Sequence, residues 1–338
     1  MIDRSKPIFI IAGRNPFERN SMTTQFGAET TAEEVARNVD LSGQTIVITG
    51  GSAGLGVETA RVLASCGARI VSVVRDEAKG RAAAATIRES VPNADIEIAV
   101  LDLFQLDSVR RGADDIAKRF SRIDRLINNA GVMACPLGRT AQGLDSQLGT
   151  NHLGHFVLTA RLIPQLLAGS PARIVNLSSA GHRLSPFRFD DPFFNEDDYN
   201  KWTAYGQAKT ANVLFTVALD ERYKDRGIRS YAVHPGAIRT ELGRHMDEDD
   251  IKDLMARRPQ NEPMTFKQIP QGAATTVWAA TAPELDGRGG IYCEDCGVAE
   301  RIEDPNVGQG VLSWALDREA AERLWSLSEE WSGETFPA

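Results

Sequence analysis

Residues 45–56 read TIVITGGSAGLG, a short β-branched apolar run that ends in a cluster of glycines. Apolar residues at helical spacing follow, at Val57, Ala60, Leu63 and Ala64. This order predicts a strand, a tight turn and a helix in immediate succession. Glycines in such a turn allow close backbone approach, and the helix start offers unpaired N–H groups to a pyrophosphate. Because glycines also serve plain turns, the stretch alone favours dinucleotide binding only weakly.

The alternation of strand and helix continues along the chain. Strands are predicted over residues 69–74, 96–100, 125–128, 173–177 and 228–233, with an edge strand over 290–293. One helix is predicted to end near residue 87, and others are predicted over 109–120, 151–167 and 205–223. This alternation predicts an α/β fold: a Rossmann-like, doubly wound parallel sheet with helices on both faces, in a single domain. We assign residues 41–338 to this dinucleotide-binding and catalytic domain and residues 1–40 to an N-terminal extension.

Two features of the extension carry expectations of their own. Met22 is a candidate natural start, which would make residues 1–21 an upstream segment. Residues 30–34 resemble a helix start with a capping glutamate.

The composition of the 338-residue chain excludes several classes of partner. A net charge of −8 without a dense Lys/Arg block disfavours nucleic acid. No apolar stretch approaches the roughly 20 residues of a membrane span, and no secretory signal is recognisable. Four cysteines fit a reducing cytoplasm, and Cys293 and Cys296 lack the second pair that a zinc site needs. We therefore expect a cytoplasmic protein with no membrane span and no metal.

The end of the second predicted strand bears on the choice of cofactor. Arg75 follows Val74, where an acid would bind the ribose hydroxyl of NAD, and an arginine favours the 2′-phosphate of NADP. NAD stays possible if Arg75 is only a solvated charge and Asp76 takes the ribose. Asp102, after the third strand, is placed to accept from the adenine amino group or to cap the next helix.

Several motifs together resemble the short-chain dehydrogenase/reductase family. They are the glycine turn of residues 49–56, Asn128-Asn129-Ala130-Gly131, the pair Ser178-Ser179, Tyr205-x-x-x-Lys209 and Pro235-Gly236, in the family's order. Residues 75–76, 234–242 and 323–330 are similar to the retinol dehydrogenase-like branch, which implies a lipophilic alcohol or carbonyl substrate.

The central pair can also be argued from its chemistry. Tyr205 and Lys209 are four residues apart, so they share one face of a helix. Reducing a carbonyl by hydride transfer needs a proton donor, and oxidising an alcohol needs the reverse. A tyrosine has a pKa of about 10, and lowering it by about 3 units takes about 4 kcal/mol. One ammonium about 4 Å away supplies about that much, so Lys209 is expected to lower the pKa of Tyr205.

The resemblance implies roles for further residues. Ser179, at the end of a strand, would bind the substrate oxygen, although Ser178 competes for the role and either hydroxyl could instead cap a loop. Asn151 would hold a water in a proton relay to Lys209, Asn129 would brace the central strand, and Thr240 would meet the nicotinamide carboxamide. The implied cofactor-binding set is Gly50, Ser52, Gly54, Leu55, Gly56, Arg75, Asp102, Leu103, Asn129, Ala130, Gly131, Tyr205, Lys209, Pro235, Gly236, Ile238 and Thr240.

Two segments are candidates for shaping the substrate pocket. Aromatic residues over 187–202 form either an apolar pocket wall or the core of a compact loop. Residues 243–270 are a candidate lid.

The whole pattern predicts an NADP(H)-dependent oxidoreductase that interconverts an alcohol and a ketone or aldehyde. The alternative is a non-catalytic NADP-binding sensor or scaffold on the same fold, which would bind the dinucleotide without consuming it. Because the helices of Tyr205 and Asn151 often pair between subunits in similar proteins, a homo-oligomer is also expected.

Overall fold

The computed structural model describes residues 26–196, 198–257 and 265–337. The proposed start at Met22 and the segment 1–21 lie outside these residues and stay predictions. The strands are β1 (Thr45–Thr49), β2 (Arg69–Val74), β3 (Ile96–Val100), β4 (Arg125–Asn128), β5 (Ala172–Leu177), β6 (Ile228–His234), β7 (Ile291–Glu294), β8 (Gly297–Val298), β9 (Arg301–Ile302) and β10 (Val311–Leu312). The helices are α1 (Ala32–Ala36), α2 (Gly54–Ser65), α3 (Glu77–Ser90), α4 (Leu106–Arg119), α5 (Ser146–Leu148), α6 (Gly154–Ala168), α7 (Lys201–Tyr223), α8 (Glu248–Ala256), α9 (Ile269–Thr281) and α10 (Arg318–Ser332).

The sheet has the predicted doubly wound topology. Its order is β3-β2-β1-β4-β5-β6-β7-β8, with β1 to β7 parallel. All residues of β1 and β5 are buried, as expected for strands covered on both faces. The strand predicted at the edge, β7, is followed by the short antiparallel β8, which takes the edge instead. Asp295 and Cys296, both with positive φ, form the tight turn between these two strands.

Helices cover both faces of the sheet. One apolar core joins α1, α2, α3 and α9 to the sheet, and the other joins α4, α6, α7 and α10. The chain order reverses between β1 and β4, which is where open α/β sheets form a binding crevice at the carboxyl ends of their strands.

The part of the N-terminal extension that the structure describes packs on the domain. Thr31 and Glu34 form the expected capping box at the start of α1. Ala32, Val35 and Ala36 are buried, and α1 contacts α9 and α2. The boundary at residue 40 stays a prediction.

The C-terminal helix α10 packs on α6 and α7, the two helices named in the expectation of a homo-oligomer, and that expectation stays a prediction. Every residue of α7 from Ala204 to Asp220 is buried within this chain. Trp325 of α10 lies against Phe156 of α6 and Phe215 of α7, with ring centroids 5.3 and 5.8 Å apart. A partner subunit would find no exposed surface on this stretch of α7, because the chain covers the helix itself.

Of the two segments expected to shape the pocket, the first is mainly a loop core. Phe187 packs on Phe189, and Phe193 lies edge-on to Trp331, with ring centroids 4.8 and 4.9 Å apart. Within 243–270 the structure describes α8, whose first turn is capped by Asp247. Across the described ranges, no helix has the length and apolarity needed to cross a bilayer.

Candidate active site

A continuous cleft of about 2410 Å³ runs along the carboxyl ends of the strands. Every residue of the implied cofactor-binding set lines it, and so do Ser179, Tyr205 and Lys209. Asn151 does not line the cleft and lies just behind its wall. No group of three or more His, Cys, Asp or Glu side chains within the described ranges is arranged to hold a metal ion.

The glycine turn between β1 and α2 has the form that a pyrophosphate requires. Gly50 has a φ of 74°, and a Cβ on Gly56 would overlap the carbonyl oxygen of Gly50. Ala53 begins α2 without a side-chain cap, so the first backbone N–H groups of the helix have no side-chain acceptor there. Thr240 faces this turn, because its Cγ2 lies 3.5 Å from the position of a Cβ on Gly54. The turn can therefore hold a dinucleotide phosphate at a helix N-terminus.

A hydrogen-bond network fixes this turn to the centre of the sheet; Asn129 was expected there from the resemblance, whereas Thr49 and His155 were missed. The Thr49 hydroxyl accepts from the backbone N–H groups of Asn129 and Ala130, at 2.9 and 3.0 Å. The Asn129 amide donates to the Thr49 carbonyl at 2.8 Å, which braces β4 against β1. His155 lies with Nε2 2.9 Å from the Thr49 hydroxyl and Nδ1 3.0 Å from the Asn151 carbonyl. The sequence signals only the contact between Asn151 and His155, because residues four apart lie on the same face of a helix.

Two exposed cations stand where the adenosine half would lie. Arg75 follows β2, and Lys79 comes from the first turn of α3; both line the cleft. The Asp76 carboxylate accepts from the backbone N–H of Lys79 and so caps α3. Asp102 accepts from the backbone N–H of Phe104 at 3.1 Å and lines the cleft at the end of β3.

The two candidate serines have different partners. Ser178 is buried, and its hydroxyl donates to the carbonyl of Lys209 at 2.9 Å, which ties β5 to α7. Ser179 accepts from the backbone N–H of Gly181 at 3.0 Å and is hydrogen-bonded to Tyr205. The Ser179 hydroxyl therefore caps a turn and also contacts Tyr205. Only Ser179 is free to meet a substrate oxygen beside Tyr205.

Lys209 and Asn151 are buried, as Tyr205 is. Lys209 is 4% exposed, its ammonium donates to the Leu177 carbonyl at 3.0 Å, and it lies 5.6 Å from the ring centroid of Tyr205. Asn151 belongs to a π-helical turn, Gly149–Leu153, and its side chain accepts from the N–H and donates to the carbonyl of Val132.

Burial controls the pKa values of the central pair. It raises the pKa of Tyr205 to about 12, and the hydrogen bond with Ser179 acts in the opposite direction. It lowers the pKa of Lys209 to about 8, because a buried ammonium loses its hydration. Lys209 is thus still mainly protonated at neutral pH.

Apolar side chains form the wall beyond Tyr205. Ile251 and Met255 of α8 and Phe266 line the cleft although they are 48, 42 and 39% exposed. Trp202, from the aromatic segment, lines it as well. Met133, Leu184, Leu242, Met246 and Leu254 complete this apolar lining.

Comparison with known proteins places these observations in a family context. A profile described as short chain dehydrogenase matches residues 44–251. Human retinol dehydrogenase 12 is 40% identical over 296 residues, covering 88% of each chain. A short-chain dehydrogenase/reductase of Penicillium rubens is 37% identical over 310 residues, covering 89% of each chain. The crystal structure of an uncharacterised protein from Mycobacterium paratuberculosis has a TM-score of 0.69 at 35% identity, covering 90% of this chain and 98% of that one.

Proposed function

Because this chain belongs to the short-chain dehydrogenase family, and is thus an NAD(P)-using oxidoreductase acting on CH–OH groups, we propose that it interconverts a lipophilic alcohol and its ketone or aldehyde with NADP(H). The observation that carries the proposal is the arrangement of Ser179, Tyr205 and Lys209 at the carboxyl edge of the sheet, in one cleft with the glycine turn.

The chain's own residues manage the proton and the substrate oxygen. When bound, the dinucleotide gives a hydride in reduction and accepts one in oxidation. In reduction, Tyr205 donates its phenolic proton to the substrate oxygen, and in oxidation the tyrosinate accepts a proton from the alcohol hydroxyl. Ser179 donates a hydrogen bond to the same oxygen and orients it. The Lys209 ammonium favours the tyrosinate form of Tyr205.

Asn151 and His155 support this proton path from behind. The Asn151 side chain holds the loop of Val132, and a Cβ on the neighbouring Gly131 would lie 3.0 Å from its Oδ1. The same Cβ would lie 3.7 Å from the Lys209 ammonium, so Gly131 lies between the side chains of Asn151 and Lys209. We propose that the π-helical turn of Asn151 holds the water that returns protons to Lys209.

The preference for NADP over NAD rests on Arg75 and Lys79. Both cations line the adenosine end of the cleft, while the nearby carboxylate of Asp76 is engaged as a helix cap. Arginine binds a phosphate through two parallel hydrogen bonds, and a lysine adds a second charge.

The lipophilic substrate class rests on the exposed apolar wall. Large apolar side chains that stay exposed in a cleft favour a ligand that covers them. Ile251, Met255 and Phe266 fit that description. Methionine side chains adapt to different shapes, so we expect tolerance among apolar substrates.

We propose a cytoplasmic location from the state of the cysteines. Cys66, Cys135, Cys293 and Cys296 are all free thiols, as in a reducing compartment. Fractionation of the native cells tests it.

A screen of aldehydes, ketones and alcohols with both cofactors tests the proposal. We expect NADPH consumption with apolar carbonyls and a weaker rate with NADH. Binding of NADPH, seen by its fluorescence, without consumption of it by any carbonyl would favour the sensor reading instead.

A further inference from the structure

The peptide unit that follows Ser179 is held at both of its polar atoms by histidines. The Ser179 carbonyl lies 2.8 Å from Nδ1 of His182. The N–H of Ala180, the other half of the same peptide unit, donates to Nδ1 of His234 at 3.1 Å. His182 comes from the turn Ala180–Leu184, whereas His234 ends β6, so two separate elements converge on one peptide.

The hydrogen bonds fix the tautomer of each ring. Nε2 of His182 accepts from the backbone N–H of Leu312 at 3.2 Å, so its proton must lie on Nδ1 and point to the Ser179 carbonyl. Nδ1 of His234 accepts the Ala180 N–H, so the His234 proton lies on Nε2. The two rings therefore have opposite tautomers, and neither hydrogen bond survives if they are exchanged.

The surroundings keep the His182 ring in place, whereas the His234 ring is partly exposed and lines the cleft. His182 is 0% exposed and packs on the ring of Tyr292, with centroids 5.0 Å apart. Its own carbonyl accepts from the Thr210 hydroxyl, one residue beyond Lys209. Burial lowers the pKa of His182 to about 4 and of His234 to about 3, so both rings are neutral at neutral pH.

We propose that His182 and His234 are positioning residues that clamp the Ser179–Ala180 peptide and so aim the Ser179 hydroxyl at Tyr205 and the substrate oxygen. The inference rests on the proposed role of Ser179. Removing the His234 imidazole leaves the Ala180 N–H without that acceptor, and removing the His182 imidazole leaves the Ser179 carbonyl held only by the backbone N–H of His182, at 3.0 Å, so in both cases the peptide gains freedom to rotate. Because Ser179 Oγ is only a few bonds away, such a rotation misaligns it.

The first test reads the tautomers and does not depend on turnover. Long-range proton–nitrogen NMR spectra of the whole protein are assigned by comparison with His182→Asn and His234→Asn. We expect a proton on Nδ1 of His182 and on Nε2 of His234 at neutral pH. The opposite tautomer, or a doubly protonated ring, at either position overturns the clamp even if the protein proves to be an active reductase.

The second test is a double-mutant cycle with Ser179→Ala, measured by carbonyl reduction. His182→Leu and His234→Leu are each expected to lower kcat about tenfold, with little change in substrate KM. In the Ser179→Ala background the same replacements should change kcat less than about twofold. Equal losses in both backgrounds would show that the histidines act independently of Ser179 and would overturn the proposal.

Conservative variants complete the design. Asparagine offers a donor in place of His182 Nδ1 and an acceptor in place of His234 Nδ1, so His182→Asn and His234→Asn should recover most of the lost kcat. Asparagine variants no better than the leucine variants contradict the clamp, whereas full activity of Ser179→Ala contradicts the proposed role of Ser179.

Discussion

Replacing Lys209 by methionine tests how far one buried charge sets the reactivity of Tyr205. The ammonium lies 5.6 Å from the Tyr205 ring centroid. If that distance is taken as the separation of the two charges, at an effective dielectric of about 20 the ammonium favours the tyrosinate by about 3 kcal/mol, or about 2 pKa units. Because burial lowers the pKa of Lys209 only to about 8, the charge is present at neutral pH. Methionine keeps the apolar stem and removes the charge.

The pH dependence of alcohol oxidation measures this effect directly. The rate should rise with the fraction of tyrosinate, so Lys209→Met should move that limb of kcat to higher pH by about 2 units and lower kcat about 100-fold at neutral pH. Lys267→Met is the matched control, because Lys267 also lines the cleft but pairs with Asp295 at 2.6 Å. Thermal denaturation monitors folding of both variants. An unshifted limb in Lys209→Met would refute the electrostatic role.

Three further predictions follow from other parts of the structure. Arg75→Ala should raise the KM for NADPH about tenfold and leave that for NADH unchanged, and an equal rise for both cofactors would contradict a 2′-phosphate contact. Gly56→Ala should abolish NADPH binding in a fluorescence titration, because the new Cβ would overlap the Gly50 carbonyl, and unchanged affinity would contradict the tight turn. The stability of the fold should decrease as the pH falls below about 6.5. Burial lowers the pKa of four histidines to between about 3 and about 4, so the unfolded chain binds protons at a higher pH than the folded chain does. These histidines are His152, His155, His182 and His234. Between about pH 7.5 and 5.5, each histidine lowers the free energy of unfolding by about 1.4 kcal/mol. Burial raises the pKa of Asp145 to about 6, which opposes this loss by less than the contribution of one histidine. A urea midpoint that does not fall over this pH range would contradict the neutral rings.

The central strands were predictable because burial on both faces makes them continuous apolar runs. Residues 45–49 and 69–74 are β1 and β2 within one residue of the prediction, and the glycine turn stands between strand and helix as expected. The edge at β8 was missed, since a two-residue strand made by the Asp295–Cys296 turn has no periodicity to detect.

The contacts that support the site could not be predicted from the sequence pattern, because they join residues that are far apart in the sequence. Thr49 meets Asn129 across 80 residues, and Ala180 meets His234 across 54. Periodicity reports which face of an element is apolar, but it does not report which polar groups meet across elements. The covering of α7 by α10 was missed for the same reason, and the expected homo-oligomer stays a prediction.

The choice between Ser178 and Ser179 shows what the structure adds to a motif. The Ser178 hydroxyl donates to the backbone carbonyl of Lys209, whereas the Ser179 hydroxyl lies beside the Tyr205 side chain, although both partners belong to α7. Sequence analysis chose Ser179 by its resemblance to a family, and the contacts of the two hydroxyls supply a physical reason for the same choice.

The central claim is that Tyr205 transfers the proton in carbonyl reduction. The most direct measurement compares NADPH consumption by the native protein and by Tyr205→Phe with one apolar aldehyde, after fluorescence titration has shown that both bind NADPH equally. We expect the phenylalanine variant to lose at least about 100-fold in kcat, because only the phenolic hydroxyl is removed. Full turnover by Tyr205→Phe would contradict it.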